Sequence, residues 1–156
     1  MRNEPQRIGI YELLEVLGEG GMGRVYLGQH PEIGLKVAIK VLHQSEVEDS
    51  NGHRRFRDEA RLLVKLKHPN IVQTTDFGRM DNGQLYYVME HLEGRHLRQE
   101  IKDRESFNPH AALPFLEQLC SALTAAHRLG VVHRDLKPAN IFVTEASGVP
   151  RIKLLA

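Results

Sequence analysis

Three side chains in the run His133-Arg134-Asp135-Leu136-Lys137-Pro138-Ala139-Asn140 suit one kind of chemistry. A carboxylate such as Asp135 can accept the proton of a hydroxyl, and the amide oxygen of Asn140 can ligate magnesium; phosphoryl transfer uses both. Lys137 could hold a transferring phosphate as a point charge. The plain alternative is a charged loop after a capped helix. The number of positions that match in order weighs against it.

A second run, Gly18-Glu19-Gly20-Gly21-Met22-Gly23-Arg24-Val25, satisfies G-x-G-x-x-G-x-V. Glycines let a backbone come close to phosphates and present its N–H groups to them. Dinucleotide-binding folds and ordinary glycine turns share the pattern, so the element after the glycines decides between them. A dinucleotide fold needs a helix straight after the glycines. Here Val25-Tyr26-Leu27-Gly28 reads as a strand, so the loop joins two strands, as a flap over a nucleotide or as a structural hairpin.

Val37-Ala38-Ile39-Lys40 then places a lysine at the end of an apolar strand. Such a lysine is often only surface charge, but on the strand beyond the flap it could reach phosphates beneath the loop. It would need a carboxylate to position it. Glu59, beside the apolar face of the next helix, is the candidate, whereas Asp58 points about 100° away around that helix. A simple exposed pair of Glu59 with Arg55 is the alternative.

The elements that must position these groups are set by periodicity. Residues 10–42 read as a meander of antiparallel strands, broken by the glycines and by His30-Pro31-Glu32-Ile33-Gly34. A polar stretch, residues 45–52, leads to a helix over 53–67, with Phe56, Ala60, Leu63 and Val64 on one face. His68-Pro69-Asn70 stops it. Strands over 71–75 and 84–89 flank a turn at Asp81-Asn82-Gly83. Asn108 and Pro109 open a helix to about residue 129, ended by Gly130; Pro114 should kink it or delay its start. Its apolar face is Leu113, Leu116, Leu119, Cys120, Leu123 and Ala126. Strands over 141–143 and 152–155 flank Ser147-Gly148. The pattern predicts an α+β chain: a five-stranded antiparallel sheet with one helix, then a mainly helical part, hinged at Glu90 to Gly94.

Taken together, the glycine loop, V-A-I-K and H-R-D-L-x-x-x-N in this order resemble the protein kinase family over about residues 10–155. Lys137 looks like the serine/threonine branch. His68-Pro69-Asn70-Ile71-Val72 and Val88-Met89-Glu90-His91-Leu92-Glu93-Gly94 look like its bacterial members. The resemblance implies an N-terminal extension (1–9), a small lobe (10–89), a hinge (90–94) and the start of a large lobe (95–156). It further implies that Leu17, Gly18, Glu19, Gly20, Gly21, Met22, Gly23, Arg24 and Val25 cover ATP. Lys40 would contact the α/β-phosphates, paired with Glu59. Ala38 and Leu92 would sandwich adenine, with Met89 as gatekeeper beside the hinge at Glu90. Asp135 and Lys137 would serve catalysis and Asn140 would ligate Mg2+. The implied activity is ATP-dependent phosphorylation of Ser/Thr hydroxyls in protein substrates. A catalytically inactive, pseudokinase-like nucleotide-binding or partner-binding module is the alternative, and a dinucleotide-binding redox domain is disfavoured.

The family's next motif, D-F-G, supplies a metal-binding aspartate. Ala156 stands in that place, and Asp76-Phe77-Gly78 lies too early and reads as a turn. The chain is therefore expected to be a truncated lobe pair that binds ATP weakly and alone transfers phosphate at negligible rate. Its long helix would expose an apolar stripe, a large-lobe surface suited to association. A net charge of +1, from 21 basic and 20 acidic side chains, argues against nucleic-acid binding. The basic residues near Arg54 and Arg61 are read as a solvated helix face. The one cysteine, Cys120, excludes an internal disulfide, is expected to be buried, and fits a reducing, cytoplasmic setting. No membrane segment or zinc-ligand spacing is visible.

Overall fold

The computed structural model describes residues 6–21, 23–43, 50–104, 108–146 and 148–155. The chain divides into two compact units, Met1–Val64 with Thr74–His91, and Lys65–Gln73 with Leu92–Ala156.

The first unit is built on strands β1 (Arg7–Ile8), β2 (Tyr11–Gly20), β3 (Gly23–Gln29), β4 (Lys36–Leu42), β5 (Thr74–Arg79) and β6 (Leu85–Glu90), with helix α1 (Ser50–Lys65) between β4 and β5. Every pairing in the sheet is antiparallel, in the order β1-β2-β3-β4-β6-β5. The sheet thus has one strand more than expected. Gly9, at φ 57°, turns the chain so that Ile8 pairs with Tyr11, and Ile8 is buried in the core.

Side chains alternate across a sheet, and both faces here are covered. Val37, Ile39 and Val41 pack with Tyr26, Val88 and Ile8 on one face. On the other, Phe56 and Ala60 of α1 pack with Leu85 against Leu42, Phe77 and Tyr87. The Phe56 and Tyr87 rings lie 4.6 Å apart. The helix starts earlier than predicted and ends at Lys65. Its first apolar contact is Phe56, so the polar first turn left no trace in the hydrophobic period. Its basic face is solvated, with Arg54 and Arg61 at 4.0 and 3.6 Å from Asp58. Residues 45–49 of the predicted polar leader lie outside the described residues.

The strand predicted from Ile71 needs correction. Ile71 makes a parallel bridge to Leu154 in the second unit, and the strand of the first sheet begins only at Thr74. Asp76 is therefore a strand residue, not a turn residue, opposite Val88 beside a register shift. Its Oδ1 accepts from the Phe77 N–H at 2.8 Å. That local bond is the habit that makes aspartate resemble a turn residue in sequence. The β5–β6 turn does use Gly83, at φ 89°.

The second unit holds β7 (Arg95–His96), α2 (Leu97–Asp103), α3 (Pro109–Arg128), β8 (Ile141–Ala146) and β9 (Val149–Leu154), with β7, β8 and β9 in one antiparallel sheet. At the start of α3, Asn108 Oδ1 accepts from the His110 N–H at 2.9 Å and Pro109 comes next, as predicted. Pro114 lies within the helix and does not delay its start. So near the N-terminus, the N–H it lacks costs a single bond, to the carbonyl four residues back. Ala122 and Ala126 are buried with Ile71, Ile141, Ile152 and Leu154, flanked by Phe115, Leu119 and Leu123. Cys120 is exposed, contrary to expectation. One residue beyond Leu119 is about 100° around the helix, which carries the thiol off the buried stripe. Leu113 and Leu116 are more than half exposed, as the apolar-stripe reading anticipated. No helix among the described residues is long and apolar enough to cross a membrane.

Buried Asn70 knits this unit together. Its Nδ2 donates to Gln118 Oε1 at 2.8 Å and to the Ile152 carbonyl at 3.0 Å, and the same Gln118 oxygen accepts from the Ile152 N–H at 2.9 Å. Asn70→Ala should leave acceptors on α3 and β9 without their donor, at a cost of about 1–3 kcal/mol. Chemical denaturation should register this as a lower midpoint with an unchanged slope; an unchanged midpoint would refute the role.

Candidate active site

The glycine run closes the β2–β3 hairpin. Gly20 pairs with Gly23, Glu19 with Arg24 and Gly18 with Val25. Met22, at the tip, lies outside the described residues. Arg24 donates to Glu19 Oε2 from Nε at 3.1 Å and from Nη2 at 2.8 Å, and this partner raises the guanidinium pKa. The pair ties the two strands just short of the tip. Leu17 lies where the register shifts between Val16 and Gly18, and it is exposed.

The glycines divide into two kinds. A Cβ on Gly23 would stand 2.1 Å from the Val41 carbonyl oxygen, so the approach of β3 to β4 requires glycine there. At Gly18, Gly20 and Gly21 a Cβ would meet nothing within 4 Å. The fold itself has no steric need for glycine at these three positions. Gly23→Ala should lower the melting temperature by several degrees, whereas Gly20→Ala should leave it within about a degree. Equal shifts in a thermal scan would contradict this division.

Register gathers the remaining first-unit candidates. Val25 is opposite Lys40, which is opposite Tyr87; Leu27 is opposite Ala38, which is opposite Met89. Directly paired residues project to one side, so Val25, Ala38, Lys40 and Met89 share the face that α1 covers in part. Glu90 is opposite Val37 and projects to the other side. Leu92 opens the second unit. Glu59 is exposed, directly before the buried Ala60 of α1. Burial first, and then the Glu59 charge, raise the pKa of Tyr87, the strand partner of Lys40. The Arg55 side chain, the alternative partner of Glu59, lies outside the described residues.

The second-unit candidates form a cluster of their own. Lys137 Nζ is 2.7 Å from Asp135 Oδ2. Asn140 Nδ2 donates to the Asp135 carbonyl at 2.7 Å and to Oδ2 at 3.0 Å. Sequence reading missed His133 as the holder of this loop. Its Nε2 is 2.6 Å from the Leu155 carbonyl, which can only accept, so Nε2 carries the proton. Nδ1 then accepts from the Asp135 N–H at 3.3 Å. The Leu155 N–H donates in turn to the Asn140 carbonyl at 2.9 Å. Between the two, Arg134 adopts φ 64°, a left-handed conformation rare outside glycine, which persists because both neighbours are pinned. The run of a histidine before a charged pair was visible in sequence; its partner, a backbone carbonyl 22 residues later, was not.

The hydrogen bond from Lys137, then that from Asn140, lower the Asp135 pKa, with the charge of Lys137 adding to the effect. Because the folded value is depressed, this contribution to stability is present above the ordinary aspartate pKa and is lost as pH falls through the folded value. Asp135 is thus ionised at neutral pH and able to accept. With Nδ2 engaged, Asn140 keeps Oδ1 as the atom that could meet a cation, and an amide oxygen is a hard ligand that suits magnesium. No group of three or more His, Cys, Asp or Glu that could hold a metal occurs among the described residues. Carboxyl-detected NMR should find the Asp135 midpoint below the ordinary aspartate range, and Lys137→Met should raise it. An unmoved midpoint in that variant would deny Lys137 the leading part.

Comparison with known proteins identifies the family. The family model described as "Protein kinase domain" matches residues 11–155. The serine/threonine-protein kinase pkn2 of Myxococcus xanthus is 42% identical over 94% of this chain and 18% of its own length. PrkC of Bacillus subtilis, another serine/threonine-protein kinase, is 41% identical over 90% of this chain and 22% of its own. This chain therefore spans about a fifth of the length of these curated relatives. The kinase domain of Mycobacterium tuberculosis PknI superposes with a TM-score of 0.82 at 35% identity, covering 96% of this chain and 60% of that one. With motifs, fold and relatives in agreement, the chain belongs to the protein kinase family, on its bacterial serine/threonine branch.

Proposed function

We propose that the whole protein transfers the γ-phosphoryl group of ATP to serine or threonine hydroxyls of protein substrates. The observation that carries the reading is the second-unit cluster: an ionised Asp135 with Lys137 on one carboxylate oxygen and Asn140 on the same oxygen. In this reading Asp135 accepts the hydroxyl proton and orients the nucleophile. Lys137 moves its charge onto the phosphate as transfer proceeds. Asn140 Oδ1 contributes one ligand to Mg2+, which when bound offsets the charge of the phosphates. In the first unit, backbone amides of the loop from Gly18 to Gly23 hold phosphate oxygens and Lys40 takes the α/β-phosphates. Ala38, Met89, Leu17 and Val25 supply the apolar surroundings of adenine, and the Glu90 backbone its polar contact. Glu59 positions Lys40.

Phosphoryl transfer rests mainly on positioning and electrostatic stabilisation, so single losses should be large. Radiolabelled ATP and a basic acceptor protein provide the assay on the whole protein. Asp135→Asn should lower transfer by on the order of a hundred- to a thousandfold. It should leave ATP affinity within about twofold, whereas Lys40→Met should weaken both. Undiminished labelling by Asp135→Asn would remove the proposed base. Equal ATP titrations of the wild type and Lys40→Met would remove the nucleotide site.

A further inference from the structure

The end of β4 carries a side chain that reaches the flap. His43 comes directly after Leu42, whose strand partner is Gly23, and His43 Nε2 lies 3.1 Å from the carbonyl oxygen of Gly20. A carbonyl only accepts, so the imidazole donates through Nε2–H, as either the imidazolium or one neutral tautomer can. The contact crosses β3 entirely, joining the end of β4 to the last residue of β2. It is also supported from behind. Gln84 Nε2 donates to the Leu42 carbonyl at 3.2 Å, and Asn82 Nδ2 donates to Gln84 Oε1 at 2.7 Å. A row of polar contacts thus runs along the sheet end from the β5–β6 turn to the glycine tip.

The bond matters because of the peptide it holds. Gly20 pairs with Gly23 and is followed by Gly21, and a Cβ at Gly20 or Gly21 would meet nothing within 4 Å, so side-chain packing does not fix the peptide between them. A peptide unit between two glycines has little conformational preference, so its orientation is set by whatever hydrogen-bonds to it. The unit is planar and trans, so its C=O and the following N–H point in opposite directions. Holding the Gly20 carbonyl toward His43 directs the Gly21 N–H the other way.

We propose that His43 is a positioning residue for phosphate binding: by holding the Gly20 carbonyl it orients the Gly21 N–H as a donor to an ATP phosphate oxygen. The proposal rests on the nucleotide-binding reading above. The proposal concerns phosphates rather than adenine, because the bond lies past the end of β4 at the glycine tip, whereas Ala38 lies near the start of that strand.

The test compares ATP with adenosine on the whole protein by calorimetry, for wild type, His43→Ala and His43→Gln. His43→Ala should weaken ATP by about three- to tenfold, the net worth of one hydrogen bond, and leave adenosine unchanged. His43→Gln keeps a donor and should recover most of the ATP affinity. The melting temperature should stay within about a degree in both, since the imidazole is only partly buried. Loss of ATP and adenosine affinity together would show a general structural role, and unchanged ATP affinity would show that the contact orients nothing; either overturns the proposal. A wild-type protein that bound neither ligand would instead sink the nucleotide reading, and this inference with it.

Discussion

The pairing register of β3, β4 and β6 is the constraint on which the first unit depends. With Val25, Lys40 and Tyr87 aligned, and Leu27, Ala38 and Met89 aligned beside them, one face carries the groups suited to a nucleotide. The other face carries Val37, Ile39, Val41, Tyr26 and Val88, the apolar core. A slip of one residue would exchange the two sets, placing the Lys40 ammonium in the core and Ile39 on the reactive face. Burying an unpaired ammonium costs several kcal/mol, so the hydrophobic core enforces the placement of the lysine. Gly23 belongs to the same constraint, because any side chain there would push β3 off the Val41 carbonyl and loosen the register at the flap.

The second unit solves a different problem, holding an irregular loop without regular structure. Asp135 is fixed through the backbone by His133 and through its side chain by Lys137 and Asn140. His133 and Asn140 are fixed in turn by the two backbone groups of Leu155, at the end of β9. The β8–β9 hairpin therefore serves as the frame of the loop, and β9 is itself held by Asn70 and Gln118. The left-handed Arg134 is what remains when both sides of a tight turn are anchored. Ionisation of Asp135 is a consequence of this framing: the donors that hold it favour its charged form.

Much of this was legible in the residues. The glycine hairpin, the lysine strand, the helix with its basic outer face, the Asn108–Pro109 start and the Gly83 and Gly148 turns all arise from local chemistry, which sequence spacing reports directly. The misreadings share a cause. Alternation joins Ile71 to the nearest strand in sequence, but Ile71 bridges to Leu154, because an apolar period says that a segment is extended and not which strand it joins. Cys120 sits among apolar neighbours along the chain yet faces outward, since the buried stripe of α3 is narrower than its apolar composition. β1 is only two residues long, too short for any periodic signal.

The sequence by itself determined the family and the candidate groups, because both depend on residue types at short spacing, and chemistry of that kind is written locally. Tertiary structure alone decided which groups meet. Val25, Ala38, Lys40 and Met89 come to one face only through long-range strand pairing. His133 finds its partner 22 residues away at Leu155, and His43 finds the Gly20 carbonyl 23 residues back. Glu59 is likewise carried by α1 to where its charge is felt at Tyr87. Such meetings depend on the packing of whole elements, where the free energy of burying apolar faces outweighs any single polar contact and sets the distances those contacts must span.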